Sequence, residues 1–397
     1  MVRLGDVCTF YSGTGFPNIY QGKADGKYPF YKVGDISRNV LSGNRELKIC
    51  ENYIDDDTAT KIKGTLLPPQ TVVFAKIGEA LRLNRRAITS RDCLVDNNAM
   101  GIKSDDSIID SLYFYYFMCN VDLQNYCEST TVPSVRKTRI AEIEIPLPPL
   151  DEQRRIAAVL DKVSGLIAKR REQLDKLDEL VKARFVEMFG EPIANPMKWP
   201  VVPLKSLSTL ITNGNTPKGG SENYVENGIT FLRSQNIWRN QIILDDVAYI
   251  DEATHRSMKK SSLRYKDILI TKTGRVNTEN SSLGRAALFL GKDDSANING
   301  HVYLVRLKNT AIPEYIVTIL TGEAYRKYIR KVCVGGIDKR QINVEQVEDF
   351  PIILPPIEMQ KSFSTIREEI GKSKLTIQQS LDKLEVLKKA LMQQYFG

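Results

Sequence analysis

The sequence predicts an α/β (α+β) protein. It consists of two similar domains with β-rich cores, separated by two long antiparallel coiled-coil helices and related by a pseudo-two-fold internal repeat. Three observations predict this fold class. The two halves of the 397-residue chain match each other, and each half ends in a long amphipathic segment. Short β-rich runs bounded by Gly, Pro, Asn and Asp alternate with helical stretches in both halves.

The repeat becomes visible when the chain is moved along itself by about 200 residues. From Pro148 and Pro355 to Gly190 and Gly397, the offset stays at 207 without a gap. Each half is therefore predicted to be a variable domain followed by a segment of fixed length. The matching stretches pair residues 2–17 with 202–217, 29–36 with 230–237, 71–80 with 267–276, and 145–153 with 352–360.

Changes in composition along the chain predict where the domains begin and end. A linker rich in Pro and Asn, "GEPIANPMKWP", follows the first fixed segment and indicates the start of the second domain. The predicted parts are a first domain at 1–150, a first central helix at 151–190, a linker and second domain at 191–356, and a second central helix at 357–397.

The fixed segments are predicted to be helices that pair. From Asp151 to Phe189 there is no proline, and apolar residues recur at steps of four and three, which is a heptad pattern. The second domain lies between the helices in the chain, so helices that pair run antiparallel. The alternative is that each helix packs only on its own domain. The predicted pairing positions are Ile156, Leu160, Val163, Ile167, Leu174, Leu177, Val181, Ile370, Ile377, Leu381, Leu384 and Leu391, with Leu387 on the same stripe.

The bulk composition narrows the class of protein. The formal charge is +8, and residues 200–350 hold 21 Lys and Arg against 16 Asp and Glu, a mild basic excess compatible with nucleic-acid binding. No apolar run has the length of a membrane span, and the first residues do not resemble a signal peptide. The six cysteines form no C-x-x-C pair, so we expect no metal site and a reducing, cytoplasmic location.

The usual catalytic motifs are missing. The sequence contains no G-x-x-x-x-G-K-[ST] phosphate loop, no G-x-S-x-G motif, and no Gly-rich loop of the kind that binds a methyl donor. One enzymatic alternative stays open, a Mg²⁺-dependent nuclease built on Asp35, Glu46 and Lys48. That spacing is common by chance in a chain with 26% charged residues.

Polar and basic residues on predicted loops form the candidate DNA-binding site. Arg, Gln and Asn are the side chains that bind guanine and adenine edges, whereas Lys more often contacts phosphate. They recur in both repeats, where "VRKTR" is predicted to correspond to "DKRQ". The candidates are Lys32, Lys76, Arg82, Arg85, Arg86, Arg136, Lys137, Arg233, Ser234, Gln235, Asn236, Lys272, Arg275, Asn277, Arg285, Lys339 and Arg340.

The duplicated helix starts carry a family resemblance. "IPLPPLDEQRRIAAVLDKV" and "ILPPIEMQKSFSTIREEI", together with the "FG" helix ends and the two variable domains, resemble the specificity subunit of Type I restriction–modification systems. The second copy has "IEMQ" where the family has Glu-Gln. The resemblance covers the whole chain and implies two target recognition domains with two central helices that act as a molecular ruler.

The resemblance also implies how the chain works with partners. It would be non-catalytic and bind double-stranded DNA at an asymmetric bipartite target, together with two methyltransferase subunits and, in a restricting system, two restriction subunits. The partners would use S-adenosylmethionine, ATP and Mg²⁺ for N6-adenine methylation and restriction, and this chain would bind no cofactor. A coiled-coil protein-interaction scaffold remains the alternative from a different functional class.

Overall fold

A computed structural model describes residues 1–127, 132–217, 219–276, 278 and 280–397. The chain forms two compact units. The first comprises Met1–Gln173 and Ile377–Gly397, and the second comprises Leu174–Thr376. Each unit therefore contains one predicted β-rich domain and one part of each long helix.

The first unit contains a four-stranded antiparallel sheet and a smaller three-stranded sheet. Its strands are β1 (Val2–Arg3), β2 (Cys8–Ser12), β3 (Tyr28–Tyr31), β4 (Tyr53–Ile54), β5 (Val72–Ala75), β6 (Ala87–Ile88), β7 (Leu94–Val95), β8 (Ala99–Ser104) and β9 (Glu144–Ile145). Its helices are α1 (Leu4–Val7), α2 (Val33–Leu41), α3 (Asp56–Lys61), α4 (Glu79–Arg82), α5 (Ser111–Asn120), α6 (Lys137–Ala141) and the first part of α7 (Leu150–Phe189).

The second unit is built from a corresponding set of elements. Its strands are β10 (Val201–Pro203), β11 (Ser208–Asn213), β12 (Ile229–Leu232), β13 (Ala248–Ile250), β14 (Ile268–Thr271), β15 (Thr273–Arg275), β16 (Ala286–Leu288), β17 (Ala296–Ile298), β18 (Val302–Leu307), β19 (Val334–Gly335), β20 (Lys339–Gln341) and β21 (Pro351–Ile353). Its helices are the last part of α7, α8 (Glu252–Ser257), α9 (Pro313–Thr321), α10 (Glu323–Val332), α11 (Val344–Glu348) and the first half of α12 (Ile357–Phe396).

The strand orders confirm the internal repeat. The larger sheets run β2–β8–β5–β6 and β11–β18–β14–β16, and the smaller ones run β4–β3–β7 and β13–β12–β17. In both smaller sheets one pair is parallel, β3 with β7 and β12 with β17. Short pairs, β1 with β9 and β10 with β21, bring the start and end of each domain together. The second unit also has a three-stranded sheet, β15–β20–β19.

Strand register corrects one detail of the predicted alignment. Cys8 corresponds to Ser208 in the paired ladders, but β11 then has a bulge, and Thr9 corresponds to Leu210. The alignment at the start of the two domains is therefore wrong by one residue beyond the bulge. A β-bulge inserts one residue into a strand and interrupts the alternation of side chains between the two faces at a single position. The sequence pattern indicates the alternation, but one interruption is too small to indicate the insertion.

The corrected register pairs two glycines that the sequence alignment did not match. A Cβ on Gly13 would lie 1.8 Å from the carbonyl oxygen of Asp96, and one on Gly214 would lie 1.9 Å from that of Ile298. Such close backbone approach permits only glycine. Both glycines directly follow the first strand of a four-stranded sheet, so the same packing constraint recurs in each domain.

The two long helices pair antiparallel within each unit, as predicted. In the first unit, Ile156 and Leu160 share a core cluster with Met392, and Arg171 pairs with Glu385 at 2.7 Å. In the second unit, Phe185 contacts Phe363, and Lys374 pairs with Asp178 at 2.6 Å.

Burial along the helices follows the predicted stripe, with one exception. Ile156, Leu160, Val163, Ile167, Ile370 and Leu381 are buried, whereas Leu174, Leu177, Val181, Ile377, Leu384 and Leu391 are half-buried. Leu387 is 45% exposed, so its assignment to the stripe was wrong. In an antiparallel pair, the position of the partner helix determines which side chains are buried between the helices. A heptad count along one helix does not include that position.

The starts of both long helices are held by a buried glutamine. Gln153 and Gln360 are each 1% exposed. Gln153 accepts a hydrogen bond from the backbone N–H of Asp110 at 2.9 Å and donates to Pro148 O at 2.9 Å. Gln360 accepts from Ile312 N–H at 3.1 Å and donates to the matching proline carbonyl at 2.9 Å. The two side chains thereby fix the helix starts to α5 and α9.

The ends of both helices are aromatic and enter the cores of the units. Phe189 is fully buried and lies 4.9 Å from the ring of Tyr315. Phe396 lies 5.1 Å from the ring of Tyr113. After Phe189, Gly190 has φ +76°, the left-handed conformation that ends a helix. In the repeated "FG", the phenylalanine thus anchors the end of the helix in the core, and in the first copy the glycine ends the helix.

No helix in the described part of the chain is long and apolar enough to cross a membrane.

Candidate nucleic-acid interface

The lysines after the central strands occupy equivalent positions in the two units. Lys76 follows β5, and its carbonyl accepts a hydrogen bond from Val135 N–H at 3.0 Å. Lys272 follows β14, and its carbonyl accepts from Ile342 N–H at 3.0 Å. Both side chains are half-buried, and the Lys272 Nζ lies over the ring of Tyr303 at 5.8 Å. The predicted pairing of these two lysines is confirmed by register.

The predicted match of "VRKTR" to "DKRQ" is wrong. Val135 and Ile342 are 207 residues apart, so the constant offset of the helices extends back into the domains. Arg136 therefore corresponds to Asn343, since each precedes the equivalent helix, α6 or α11. The two clusters are alike in basic composition, but they occupy positions several residues apart in the equivalent backbones.

Asn236 is a structural residue. It is 2% exposed, its Oδ1 accepts from Arg233 N–H at 2.9 Å, and its Nδ2 donates to two backbone carbonyls. Asp35 makes the equivalent bond in the first unit, accepting from Lys32 N–H at 2.8 Å. A side chain with its hydrogen bonds satisfied in the interior does not reach a base, so Asn236 is removed from the candidates.

Two candidate arginines are buried as well. Arg86 is 2% exposed, with its guanidinium 4.9 Å from the centre of the Phe74 ring. Arg285 is 9% exposed and lies 3.6 Å from the ring of Trp238. Burial lowers the pKa of each to about 10. Both side chains are packed inside their own domains, so the prediction that they bind DNA directly is wrong. Asn277 lies outside the described residues.

Other first-unit candidates remain accessible. Arg82, Arg136 and Lys137 are exposed, and Arg85 is half-buried. Arg82 pairs with Glu79 at 3.4 Å on the short helix α4. The Lys137 Nζ lies 5.4 Å from the ring centre of Phe10 on strand β2. Lys32 is half-buried, with its Nζ bonded to the side chain of Gln21.

In the second unit, Asp246 organises one group of candidates. Arg233 donates to the Asp246 carboxylate at 3.0 Å, and Gln235 donates to it at 2.7 Å. These hydrogen bonds, that from Gln235 first, hold the pKa of Asp246 below its usual value, so the carboxylate is ionised at neutral pH. Gln235 is exposed, and Ser234 beside it is half-buried. Gln235 is therefore presented to solvent in one held orientation, and sequence reasoning missed its acidic partner.

The remaining candidates of the second unit meet on the extra sheet. Arg275 on β15 lies opposite Lys339 on β20 in register, and Arg340 follows on the same strand. Arg275 also pairs with Asp338 at 3.3 Å. Residues separated by more than 60 positions in the sequence thus form one basic surface, and the pairing of β15 with β20 is what joins them.

The proposed nuclease residues do not form a metal site of the expected kind. Asp35 is 2% exposed and is bonded to the Lys32 N–H and to the Arg38 guanidinium. Lys48 is exposed, and Glu46 is half-buried. Among the described residues, no group of three or more His, Cys, Asp and Glu side chains is placed to hold a metal ion.

Comparison with known proteins decides the family. The model of the Type I restriction modification DNA specificity domain matches residues 1–178 and 196–387. The chain belongs to this family of specificity subunits. It is 23% identical to the MjaVIII specificity subunit of Methanocaldococcus jannaschii over 99% of this chain and 90% of that protein. DNA target recognition by two domains is the function that this family membership assigns.

Solved structures of specificity subunits share the fold. The Type I restriction-modification S subunit from M. genitalium matches 100% of this chain and 95% of that chain, with a TM-score of 0.58 at 13% identity. A chain from a structure describing complex assembly and conformational transition of the type I R-M system matches with a TM-score of 0.54 at 18% identity, covering 100% and 96%. At these identities the likeness concerns the fold.

Proposed function

We propose that this specificity subunit recognises an asymmetric bipartite DNA sequence, one half-site per domain, with α7 and α12 setting the spacing between half-sites. The main support for the proposal is that the two domains share a strand topology but differ in the side chains on their surfaces. The four-stranded and the smaller three-stranded sheets have the same strand orders in both domains, yet equivalent positions carry different side chains. Two domains with the same fold but different side chains at the DNA-contacting positions are expected to recognise different base sequences.

The short helical turn after the first strand of the smaller sheet illustrates this difference. Lys32 and Asp35 in the first unit correspond to Arg233 and Asn236 in the second, because the same cap bond joins each pair. By the same correspondence, Gly34 takes the place of Gln235. A glycine offers no side chain to a base edge, whereas a glutamine can form two hydrogen bonds to adenine. The two half-sites are therefore proposed to differ at the position that this turn contacts.

Catalysis is proposed to belong to partner subunits. Two methyltransferase subunits would methylate adenine at N6 with S-adenosylmethionine, and restriction subunits would add ATP- and Mg²⁺-dependent cleavage. The involvement of Asp35 in a helix cap supports this division, because it removes one carboxylate from the only nuclease constellation suggested by the sequence.

The test is a methylome of cells that carry the chain with its neighbouring methyltransferase. The expected result is methylation at a single asymmetric split motif that disappears when the chain is deleted. Methylation that persists without the chain would contradict the proposal. Mg²⁺-dependent DNA cutting by the purified chain alone, abolished by Glu46→Ala, would contradict its non-catalytic role.

Gln235→Ala is expected to relax base preference at one position of the second half-site. The loss of a bidentate contact corresponds to about 1–3 kcal/mol of discrimination. The measurement is methylation of oligonucleotide libraries randomised in either half-site. The matched control is Gln173→Ala, an exposed glutamine on α7 whose change is expected to leave both half-sites unaltered. A uniform loss of binding at all sites would instead mark Gln235 as a non-specific contact.

A heptad added to both long helices is expected to lengthen the spacer and leave both half-sites unchanged. The insertions are placed after Leu174 in α7 and after Thr376 in α12, which keeps the interhelical ion pairs within each unit. Seven residues add about 10 Å of helix, so the spacer is expected to grow by up to about three base pairs. An unchanged spacer with altered half-site bases, measured by methylated-site sequencing, would contradict the ruler.

A further inference from the structure

The hairpin of β19 and β20 projects from the second unit. Residues 334–339 are all exposed, whereas Cys333 and Ile342 at its base are 6% and 0% exposed. Ile337 near its tip is 90% exposed, and Val334 is 45% exposed. The segment is thus buried at both ends and exposed to solvent between them, including the apolar Ile337 near its tip.

The base of this hairpin is firmly held. The Tyr303 hydroxyl donates to Ile342 O at 3.0 Å, and the Ile342 N–H donates to Lys272 O at 3.0 Å. Strand β20 pairs with both β15 and β19. Gly335 has φ +130°, and a Cβ there would lie 3.0 Å from Lys339 O, so the turn requires glycine. The hairpin is therefore a defined element of the three-stranded sheet, held in place by strand pairing and hydrogen bonds.

The flanks of the hairpin are basic. Arg275 and Lys339 lie opposite each other in register, with Arg340 beside them. The acidic residue of this surface, Asp338, is paired with Arg275 at 3.3 Å. The surface therefore combines an exposed aliphatic tip with an excess of positive charge along its sides.

This combination suits a DNA groove better than a protein partner. A two-stranded β-ribbon is of a size that the major groove admits, and aliphatic side chains contact thymine methyl groups or enter base steps. Lysine and arginine beside such a tip meet the phosphates. Two exposed aliphatic side chains are far fewer than the 20–30 residues that a stable protein interface typically uses on each side.

We propose that the β19–β20 hairpin enters the groove of the second half-site, where Ile337 contacts a base pair and Lys339 contacts phosphate. This inference rests on the proposed function, which it deepens by naming the element that reads the DNA. At the 207-residue offset, Ile337 corresponds to position 130, which lies outside the described residues. The proposal is therefore made for the second half-site alone.

The experiment uses the whole chain assembled with its methyltransferase and oligonucleotide libraries randomised in each half-site. Ile337→Ala is expected to lower discrimination at one base pair of the second half-site by roughly 5- to 150-fold, the range for one lost base contact. Lys339→Ala is expected to weaken binding to all sequences and to reduce the slope of log affinity against log salt by about one. The control Leu290→Ala removes a side chain that is 65% exposed elsewhere in the same unit.

Three outcomes would overturn the inference. One is wild-type selectivity at both half-sites for Ile337→Ala, and another is a change confined to the first half-site. The third is loss of the methyltransferase from the complex, seen by size-exclusion chromatography, which would make the hairpin a protein-binding element. Failure of the proposed function is distinguishable, because the wild-type complex would then show no split motif at all.

Discussion

Phe189→Ala is expected to destabilise the unit formed by residues 174–376, although Phe189 ends the helix that follows the first domain in the chain. Its ring is fully buried between Tyr315 and Phe363, at centroid distances of 4.9 and 5.7 Å. Truncation of a buried phenylalanine costs about 3–5 kcal/mol, through lost apolar burial and the cavity that remains. Hydrogen exchange of α9 would report the loss as faster exchange of its backbone amides.

The same experiment has two internal comparisons. Val186→Ala, three residues earlier on α7, changes a side chain that is 54% exposed and is expected to leave exchange unaltered. Phe396→Ala is expected to accelerate exchange in α5, because Phe396 contacts Tyr113 and Phe117 at 5.1 and 5.8 Å. Faster exchange in α5 after Phe189→Ala, with α9 unaffected, would contradict the assignment of each helix end to its unit.

Gln153→Leu is expected to have the second large effect. Leucine cannot replace the hydrogen bonds of the amide, so the Asp110 N–H and the carbonyls of Ile108 and Pro148 lose their partner inside the protein. Each buried group left unsatisfied costs about 1–3 kcal/mol, and some of this is offset by local relaxation. We expect a loss of about 2–5 kcal/mol in the unfolding free energy of the first unit, measured by urea titration.

The second copy and an exposed site provide the controls. Gln360→Leu is expected to destabilise the second unit in the same way, since its side chain binds Ile312 N–H and Pro355 O. Gln173→Leu, on the exposed surface of α7, is expected to change stability by less than about 0.5 kcal/mol. Equal unfolding midpoints for Gln153→Leu and Gln173→Leu would show that the buried glutamine does not hold the helix.

The two glutamines are a structural feature that the repeat itself contains. Residues 145–153 correspond to residues 352–360, and the glutamine is identical in both at the 207-residue offset. A polar residue retained in two copies whose neighbours differ points to a structural role. The proline carbonyls that it binds are five residues earlier, but its other hydrogen-bond partners lie 43–48 residues earlier, and no local pattern shows that contact.

The sequence was sufficient for the features that depend on local order along the chain. The duplication, the constant offset, the heptad stripe and the antiparallel direction follow from periodicity and connectivity, because a helix repeats its environment every three or four residues. The family also follows from them, since the helix starts and ends carry its motifs.

The candidate site depended on folding. Arg86, Asn236 and Arg285 are predicted to be exposed because their residue types usually are, yet the folded domains bury all three. It matched Arg136 to Lys339 by charge, whereas register aligns Arg136 with Asn343. Asp246, Gln153 and the β19–β20 hairpin acquire their roles from residues distant in the chain. Burial and strand pairing are set by long-range contacts, and these exist only once the chain has folded.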